Sequence, residues 1–542
     1  MEIMTVKKFE EGAIEGSGID FMRLGFALFF MVAVLAYSFM STGGIPNNVF
    51  LAIAALFGAY MAMNIGANDV ANNVGPAVGS KALTMGGAII IAGIFEGAGA
   101  FIAGGDVVKT IKKGIIDISA FGANTDSFIW AMMAALLAAA LWLNFATMAK
   151  APVSTTHSIV GGVMGAGIAA AGFSIVSWGT MGKIAASWVI SPVLGGVIAA
   201  SFLFAIKRTM VFKEDKVKAA SIWVPIFVAF MSWAFVTYLT LKGLKKIWPS
   251  IVDIFTFLPD TKKPSLMVAL ILGGIIALIV YVIVKATIAK KTDVENSRDG
   301  INSLFTVPLI FAAALLSFAH GANDVANAIG PLAAINDAVM TGGISSKAGI
   351  PFWVMAVGAI GIAIGLALYG PKLIRTVGSE ITELDQMRAF SVAMAASITV
   401  IIASQLGLPV SSTHIAVGGI FGVGFLREYL EENKEKDVIA IEKDLISEEK
   451  KILKAFGGEL KTLEDKKDKK KDDYERIVKL YQIIDEEQAK LKEAKKHLKS
   501  TQKVQYVKRD AIKKIVAAWV ITVPAAAVLS ASIYFMIKGI VL

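Results

Sequence analysis

The sequence predicts an all-α, polytopic membrane protein with inverted-topology repeats, broken or re-entrant helices and a soluble helical insert. Three observations predict this fold: many long apolar runs, duplicated motifs and one polar block near the C-terminus. The chain has 542 residues, of which 56% are hydrophobic and 18% charged, whereas about 25% of the residues of a soluble domain are charged. Its apolar runs approach or exceed the roughly 17–25 residues that cross a bilayer as a helix. The eleven runs are 24–40, 50–63, 84–103, 128–149, 183–206, 220–241, 265–284, 301–319, 352–369, 389–406 and 515–536.

Composition narrows the chemistry further. We expect no cleavable signal peptide, because the first apolar segment begins near residue 21 behind a leader of mixed charge. The chain has no cysteine, which excludes disulfides, thiolate metal sites and a cysteine nucleophile. Its net charge is +10. In a membrane protein such an excess of Lys and Arg marks cytoplasmic loops and contact with anionic lipid, so we expect membrane lipid and no nucleic acid as a partner.

Three sequence blocks occur twice in the same order, which indicates an internal duplication and not a chance match. The last pair of blocks lies farther apart than the first two pairs, so extra residues interrupt the second copy. The matched pairs are GANDVANNVGPAVGS at 66–80 with GANDVANAIGPLAAI at 321–335, APVSTTHSIVGGVMGAG at 151–167 with LPVSSTHIAVGGIFGVG at 408–424, and KIAASWVI at 183–190 with KIVAAWVI at 514–521.

The extra residues form a polar block within the second copy, at about 427–513. Ile477, Ile484, Leu491 and Leu498 recur every seven residues among its Lys and Glu residues, a spacing that predicts a short coiled coil or a helical hairpin. The domains predicted from these patterns are a leader with an extra span at 1–44, a first repeat at 45–206, connecting loops and spans at 207–300, a second repeat at 301–426, a soluble cytoplasmic insert at 427–513 and a final span of the second repeat at 514–542.

Charged loops predict the orientation of the repeats, because cytoplasmic loops are enriched in Lys and Arg. The polar insert should be cytoplasmic, so the span that follows it runs outward. The matching span around Trp188 ends at the basic loop 207–218 and therefore runs inward. Equivalent spans that point in opposite directions define an inverted repeat, an arrangement found in many transporters.

One group of charges conflicts with this topology. Lys109, Lys112 and Lys113 follow an apolar run, and the predicted orientation places them on the outer face. Because the enrichment of positive charge in cytoplasmic loops is a bias and not a law, we keep the topology.

The motif GANDVAN places an aspartate inside apolar sequence twice, as Asp69 and Asp324. A charge at the centre of the bilayer costs roughly 2.5–3.5 kcal/mol on insertion scales, so it usually serves a function. One interpretation is that the aspartates cap broken helices. The favoured interpretation is that they bind cations together with Asn68 and Asn323, since Asn and Asp offer hard oxygen ligands. The adjacent glycines would let the helices unwind and expose carbonyl groups.

The motifs PVSTTH at 152–157 and PVSSTH at 409–414 combine a proline with hydroxyl residues before a Gly-rich run, a pattern typical of a helix start. Ordinary capping of two tilted helices is one interpretation. The favoured one is a pair of half-helices that start inside the membrane, where free N–H groups and hydroxyls would bind phosphate or a similar oxyanion. The candidate anion ligands are Ser154, Thr155, Thr156, Ser411, Ser412 and Thr413.

Four further polar residues accompany these motifs. His157, His320 and His414 adjoin them directly; they either relay protons or form structural hydrogen bonds, and we favour the structural role. Glu96 is another carboxylate in an apolar run, and the second repeat has no acidic residue at the corresponding place. It serves either gating and cation binding or a buried pair that lines a pore, and the sequence leaves both open.

These motifs resemble the inorganic phosphate transporter (PiT) family, whose hallmark is GANDVANA in both halves. The copy at 321–328 matches this hallmark fully, whereas the first copy ends in Asn73. The IFE and TIKKGI segments within 94–115 are also similar to the family. The resemblance covers about 45–206, 300–426 and 514–542.

The resemblance implies symport of phosphate with sodium or protons. Asn68, Asp69, Asn323 and Asp324 then correspond to cation ligands, and the six hydroxyl residues of the PVS motifs to phosphate ligands. We favour sodium, because the cation motifs are rich in hard oxygen donors, and expect it as a co-substrate with no resident cofactor. A proton-coupled phosphate permease, a sulfate permease and a passive anion channel remain alternatives, and the sequence leaves the oligomeric state open, a homo-oligomer included.

An enzyme is the rival class of function. Asp69 and Asp324 could form an aspartyl-protease dyad, or a hydroxyl beside His157 or His414 could act as a nucleophile. A dyad needs a shared proton and a water held between the two carboxylates, and the duplication of every element suits a transporter better. We therefore expect no enzymatic activity.

Overall fold

The computed structural model describes residues 2–122, 124–148, 153–245, 247–255, 258–291, 293–344, 349–380, 384–501 and 509–541. Within these ranges the chain folds into α-helices with short 3-10 and π turns and without a β-strand. Eleven of the helical segments are long and apolar enough to cross a membrane. The predicted all-α, polytopic fold is confirmed, and each predicted apolar run overlaps one of these segments.

The helices of the described residues are numbered in chain order. They are α1 (Glu2–Ser41), α2 (Asn48–Asn68), α3 (Val70–Gly79), α4 (Met85–Ala103), α5 (Gly105–Lys113), α6 (Thr125–Met148), α7 (Thr155–Ala171), α8 (Trp178–Ile206), α9 (Lys216–Gly243), α10 (Trp248–Ile254), α11 (Leu266–Ala289), α12 (Arg298–Leu304), α13 (Thr306–Thr341), α14 (Phe352–Glu380), α15 (Gln386–Gln405), α16 (Ser412–Glu464), α17 (Lys471–Thr501) and α18 (Arg509–Val541).

The first GANDVAN motif interrupts a span, whereas the second does not. Asp69 separates α2 from α3, but Asp324 lies inside the continuous helix α13. The expectation that glycines unwind both copies is therefore wrong for the second copy. The glycine there serves packing, because a Cβ on Gly321 would overlap the backbone oxygen of Glu96 in α4. Gly66 packs in the same way against the backbone of Ile362 in α14.

Both PVS motifs start a helix, as predicted. The Ser154 hydroxyl oxygen accepts a hydrogen bond from the His157 backbone N–H (3.2 Å), and the Ser411 oxygen accepts one from the His414 N–H (3.3 Å). These are N-cap bonds, which satisfy one of the free N–H groups at a helix start. Pro152 lies outside the described residues. Because α7 has only 17 residues, it is shorter than a full span, and we refer to α7 and the first turns of α16 as the half-helices.

Each half-helix packs on the last span of the other repeat. A Cβ on Gly165 of α7 would overlap the backbone oxygen of Ala527 in α18, and one on Gly422 of α16 would overlap the backbone of Gly196 in α8. The repeat-related positions thus make the same contact twice. The Gly-rich faces predicted from the sequence allow this close approach of two helix backbones.

Gly165→Ala should destabilise the protein, because the new methyl group meets backbone and not a flexible side chain. Overpacking of this kind costs about 1–3 kcal/mol or more. The matched control is Gly93→Ala in α4, where the new Cβ would be 3.9 Å from its nearest neighbour, the Ala363 Cβ. Thermal unfolding in detergent should show a lowered midpoint for Gly165→Ala only. Equal midpoints for both variants would contradict the tight crossing of α7 and α18.

The polar block belongs to a second compact unit, which comprises Gly424–Lys508. Its helices α16 and α17 are joined by residues 465–470, and Arg476 donates to both carboxylate oxygens of Glu459 from the facing helix (2.8 and 3.1 Å). Leu480 is fully buried. A helical hairpin describes this unit, while the domain boundaries stated above stay predictions.

Candidate functional site

Asp69 joins the two half-helices. The Thr155 hydroxyl of α7 donates to Asp69 Oδ2 (2.6 Å), and the Thr413 hydroxyl of α16 donates to Oδ1 (3.1 Å). Only 2% of Asp69 is exposed. Its side chain makes no capping bond to α3, which disfavours the interpretation of Asp69 as a helix cap. The carboxylate instead collects hydroxyl groups from both repeats.

Asp324 occupies the equivalent position in the second repeat. The Ser412 hydroxyl donates to Asp324 Oδ2 at 3.4 Å, which repeats the contact between Thr155 and Asp69. Because Asp324 is in the interior of α13, it cannot cap that helix. The capping interpretation therefore fails for both aspartates.

Two asparagines outside the predicted set cross-link the repeats. The Asn72 side-chain amide donates to the Thr413 hydroxyl (2.9 Å), and the Asn327 amide donates to the hydroxyls of Thr156 (3.0 Å) and Thr155 (3.2 Å). Sequence analysis missed both asparagines, although each is the last residue of a GANDVAN copy. Their repetition was the signal that could have identified them.

The predicted cation ligands Asn68 and Asn323 contact neighbouring elements instead. The Asn323 amide donates to the Ser404 hydroxyl (3.0 Å) and to the Leu408 backbone oxygen (3.2 Å). It thereby holds residues 406–411, the linker between α15 and α16. The Asn68 amide donates to the Thr147 hydroxyl in α6 (3.4 Å). In this structure both amides position backbone next to the aspartates, and their role as ligands stays a prediction.

The remaining PVS hydroxyls lie at the same place. Ser154 and Ser411 use an oxygen lone pair for the N-cap bond, which leaves each hydroxyl hydrogen free to be donated. The Thr156 hydroxyl donates to the Val410 backbone oxygen (2.9 Å). All six predicted anion ligands are at most 3% exposed, so they share one dry environment at the starts of the half-helices.

Glu96 and His320 extend the site on one side only. His320 Nδ1 is 2.7 Å from Glu96 Oε2, and His320 Nε2 is 3.0 Å from Asp324 Oδ2. The Asn73 amide donates to Glu96 Oε1 (2.7 Å). An imidazole can donate to two carboxylates at once only when both its nitrogens carry a proton. The network therefore connects a proton-accepting group directly to Asp324.

The first repeat lacks this network. Ile65 precedes the first GANDVAN where His320 precedes the second. Ile362 packs against Gly66 where Glu96 packs against Gly321. Apolar residues thus replace the histidine and the glutamate, and the two aspartates lie in different electrostatic surroundings.

The other two histidines lie in an aromatic stack. The ring of His157 is 3.8 Å from that of Trp188, and the ring of His414 is 3.7 Å from that of Trp519, measured between centroids. The two imidazoles meet edge to face at 4.6 Å. Both tryptophans occur in the third repeated block, which sequence analysis did not connect with the site. These contacts favour the structural role predicted for His157 and His414.

The site has the chemistry of a cation centre beside an anion centre. One ligand atom each of Asp69, His320 and Asp324 lies within 4.8 Å of the others. Two carboxylates so close together repel each other strongly in a low-dielectric interior unless a cation or a proton lies between them. Hydroxyl oxygens and helix N-termini surround the carboxylates and offer donors to an oxyanion.

Eleven candidate spans around a buried ionic site that both repeats build define a membrane transporter. The chain belongs to the phosphate transporter family, because the model of the "Phosphate transporter family" matches residues 65–530. The proteins of this family are transporters and not enzymes, in agreement with the expectation from the sequence.

Relatives and a solved structure agree with this assignment. A protein of Helicobacter pylori strain J99 named "Putative phosphate permease" is 48% identical over 547 residues and covers 98% of each chain. A protein of the same name from Thermococcus kodakarensis is 40% identical over 392 residues, which are 72% of this chain and 92% of the relative. The solved structure "The sodium-dependent phosphate transporter" has a TM-score of 0.69 and 31% identity, and the match covers 90% of this chain and 99% of that one.

Proposed function

We propose that this chain is a secondary active transporter that imports inorganic phosphate into the cell by symport with sodium. One observation supports this function above the others. Asp69 accepts hydrogen bonds from Thr155 and Thr413, so a carboxylate suited to a cation and hydroxyls suited to an anion form one buried cluster. A phosphate dianion enters a low-dielectric site only if nearby cations offset its charge.

Sodium would bind between the carboxylates. Asp69 and Asp324 supply negative charge, and the hydroxyl oxygens of Thr155 and Ser412 lie within hydrogen-bond distance of them. Carboxylate and hydroxyl oxygens are hard ligands that suit alkali cations. A bound cation removes the repulsion between the two aspartates, which is the physical reason that sodium and phosphate would bind together.

Phosphate would bind at the starts of α7 and α16. The free backbone N–H groups and the positive end of each helix dipole favour an oxyanion there. A hydroxyl group rotates freely, so Thr155 and Thr413 can turn their hydrogens from Asp69 to phosphate once sodium neutralises the carboxylate. The same hydroxyls would thereby link the occupancy of the two sites.

The proposal also covers the surroundings of the site. Glu96 and His320 would act in gating or coupling, because their network reaches one aspartate only. We place the protein in the cell membrane, with the insert in the cytoplasm. Whether several copies assemble is left to direct measurement of the oligomeric state.

Uptake into proteoliposomes tests this function. Purified protein should take up radiolabelled phosphate saturably when a sodium gradient is imposed, and excess sulfate should compete poorly. A proton gradient without sodium should drive little uptake. Equal uptake under the proton gradient would favour the proton-coupled alternative, and unsaturable flux without any gradient would favour a passive channel.

Ser154→Ala and Ser411→Ala should each weaken phosphate binding without abolishing it. The substitution removes one hydroxyl donor and leaves the backbone donors of the half-helix in place. Loss of a hydrogen bond to a charged group costs about 1.5–3 kcal/mol, or roughly ten- to a hundredfold in affinity. Calorimetric titration with phosphate in the presence of sodium measures the effect. Unchanged affinity in both variants and in their double variant would show that these serines only cap the helices.

Removal of the insert should preserve phosphate binding, because no repeated motif lies within it. The Thermococcus relative matches over 92% of its own length while leaving part of this chain unmatched, which supports the presence of dispensable segments. The variant replaces residues 432–508 with a short flexible linker. Phosphate affinity within a few fold of wild type is expected from titration of the monodisperse protein. A well-folded deletion variant that no longer binds phosphate would contradict the prediction.

A further inference from the structure

Three lysines converge on one aspartate next to the candidate site. Asp106 of α5 lies 2.5 Å from Lys242 Nζ, 3.5 Å from Lys109 Nζ and 3.6 Å from Lys245 Nζ. We refer to these four residues as the lysine cluster. One carboxylate offsets one ammonium charge, so the cluster carries an excess of about two positive charges. Lys112, its neighbour in sequence, is engaged with Asp337 and is not part of the cluster.

A structural role explains only part of the cluster. The Lys242 side chain is 8% exposed and also approaches the Ser404 backbone oxygen at the end of α15 (3.5 Å), as expected for a cation at a helix C-terminus. The Lys109 and Lys245 side chains are 62% and 45% exposed. Exposed ion pairs contribute little to stability, so stability alone does not account for these two lysines.

The cluster is connected to the site through short contacts. Ser404, whose backbone oxygen Lys242 approaches, accepts a hydrogen bond from Asn323. The Thr110 hydroxyl of α5 donates to the backbone oxygen of Gly407 in the linker (2.7 Å). At the start of α5, a Cβ on Gly104 would be 2.7 Å from the Val325 side chain, next to Asp324. The lysines therefore lie close to the residues that position the second half-helix.

This location implies water at the cluster. Charged side chains at membrane depth face water or a polar partner, because exposure to lipid hydrocarbon is costly. Lys109 and Lys245 are exposed beside a site that lies among membrane-spanning helices, so they should face an aqueous entrance. On the topology predicted from the sequence this entrance opens to the outer face. The charges of α5 that conflict with the positive-inside bias would then serve the substrate.

We propose that the lysine cluster is an outer anion site that receives inorganic phosphate before it reaches the half-helices. This inference rests on the proposed phosphate transport. Excess positive charge in a cleft raises the local concentration of an anion and its rate of arrival. Asp106 competes with the anion for the lysines and keeps its binding weak. Weak binding matters because an ion must also leave such a site to move on.

Kinetics of uptake test the outer anion site. The variant combines Lys109→Gln and Lys245→Gln, which change exposed side chains and leave Lys242 in place. The matched control combines Lys290→Gln and Lys291→Gln, two exposed lysines after α11. In neutral proteoliposomes at low ionic strength, the first variant should raise the KM for phosphate about tenfold with an unchanged maximal rate. The control should match wild type.

Two further measurements separate the explanations. Raising the salt concentration should shrink the difference in KM, because screening weakens steering by charge. A KM that stays unchanged at low salt, or that rises equally in the control, overturns the proposal. So does a rise seen only in vesicles that contain phosphatidylglycerol, since the cluster would then bind lipid headgroups. Absence of sodium-driven uptake by the wild-type protein would instead contradict the proposed function.

Discussion

Replacing Asp69 or Asp324 with asparagine should lower sodium-driven phosphate uptake by about ten- to a hundredfold, the loss expected for a hydrogen-bonded charged ligand. Asparagine keeps the size of the side chain and one oxygen but removes the negative charge. Each variant should fold normally, because a buried charge that is costly to insert is gone. The affinity for sodium should fall, and phosphate binding should fall with it, since linked binding of two ligands is reciprocal.

Sodium titration distinguishes this result from a direct effect on phosphate. Raising the sodium concentration should partly restore phosphate binding in both variants if sodium binds at the carboxylates. Thermal unfolding measured beside uptake provides the control for folding. Normal sodium dependence in both variants would rule out the aspartates as cation ligands. A lowered unfolding midpoint with normal coupling would assign them to stability instead.

Glu96→Ala should cause the largest loss of stability among the single substitutions considered. It leaves His320 Nδ1 and the Asn73 amide without the carboxylate that both contact, and Glu96 is fully buried. Breaking a buried charged pair by removing one partner costs about 3–5 kcal/mol. The unfolding midpoint in detergent should therefore fall well below that of wild type.

Glu96→Gln is the matched control for this loss. The glutamine keeps the length of the side chain, an oxygen that accepts from Asn73 and an amide that can donate to His320. Its unfolding midpoint should lie close to that of wild type, although the loss of charge beside His320 and Asp324 should reduce uptake. If Glu96→Ala unfolds like wild type, the network does not contribute to stability as the geometry indicates.

Local patterns predicted the parts of the site that depend on local chemistry. The duplicated GANDVAN identified Asp69 and Asp324, because a charge repeated in apolar sequence has few structural explanations. The PVS motifs identified the helix starts, because hydroxyl residues after a proline satisfy free N–H groups whatever the fold. Both signals survive in any tertiary context.

The tertiary contacts were not predictable in the same way. Identical letters produced a break at Asp69 and a continuous helix at Asp324, because packing against neighbouring backbones and not the motif decides the local conformation. The hydrogen bond from Asn72 to Thr413 joins residues that are far apart in sequence. Repetition shows that two segments are alike, but it does not show that each packs against the other's partner.

The exchange of partners between the repeats has a consequence for synthesis. Gly165 of α7 packs on Ala527 of α18, and at about 5–20 residues per second the ribosome makes these two residues roughly 20–70 s apart. The half-helix α16, in contrast, emerges when its partner α8 is already made. A nascent chain therefore carries an open glycine groove on α7 until its last span arrives, and a polypeptide truncated before α18 would display that groove to the quality-control proteases of the membrane.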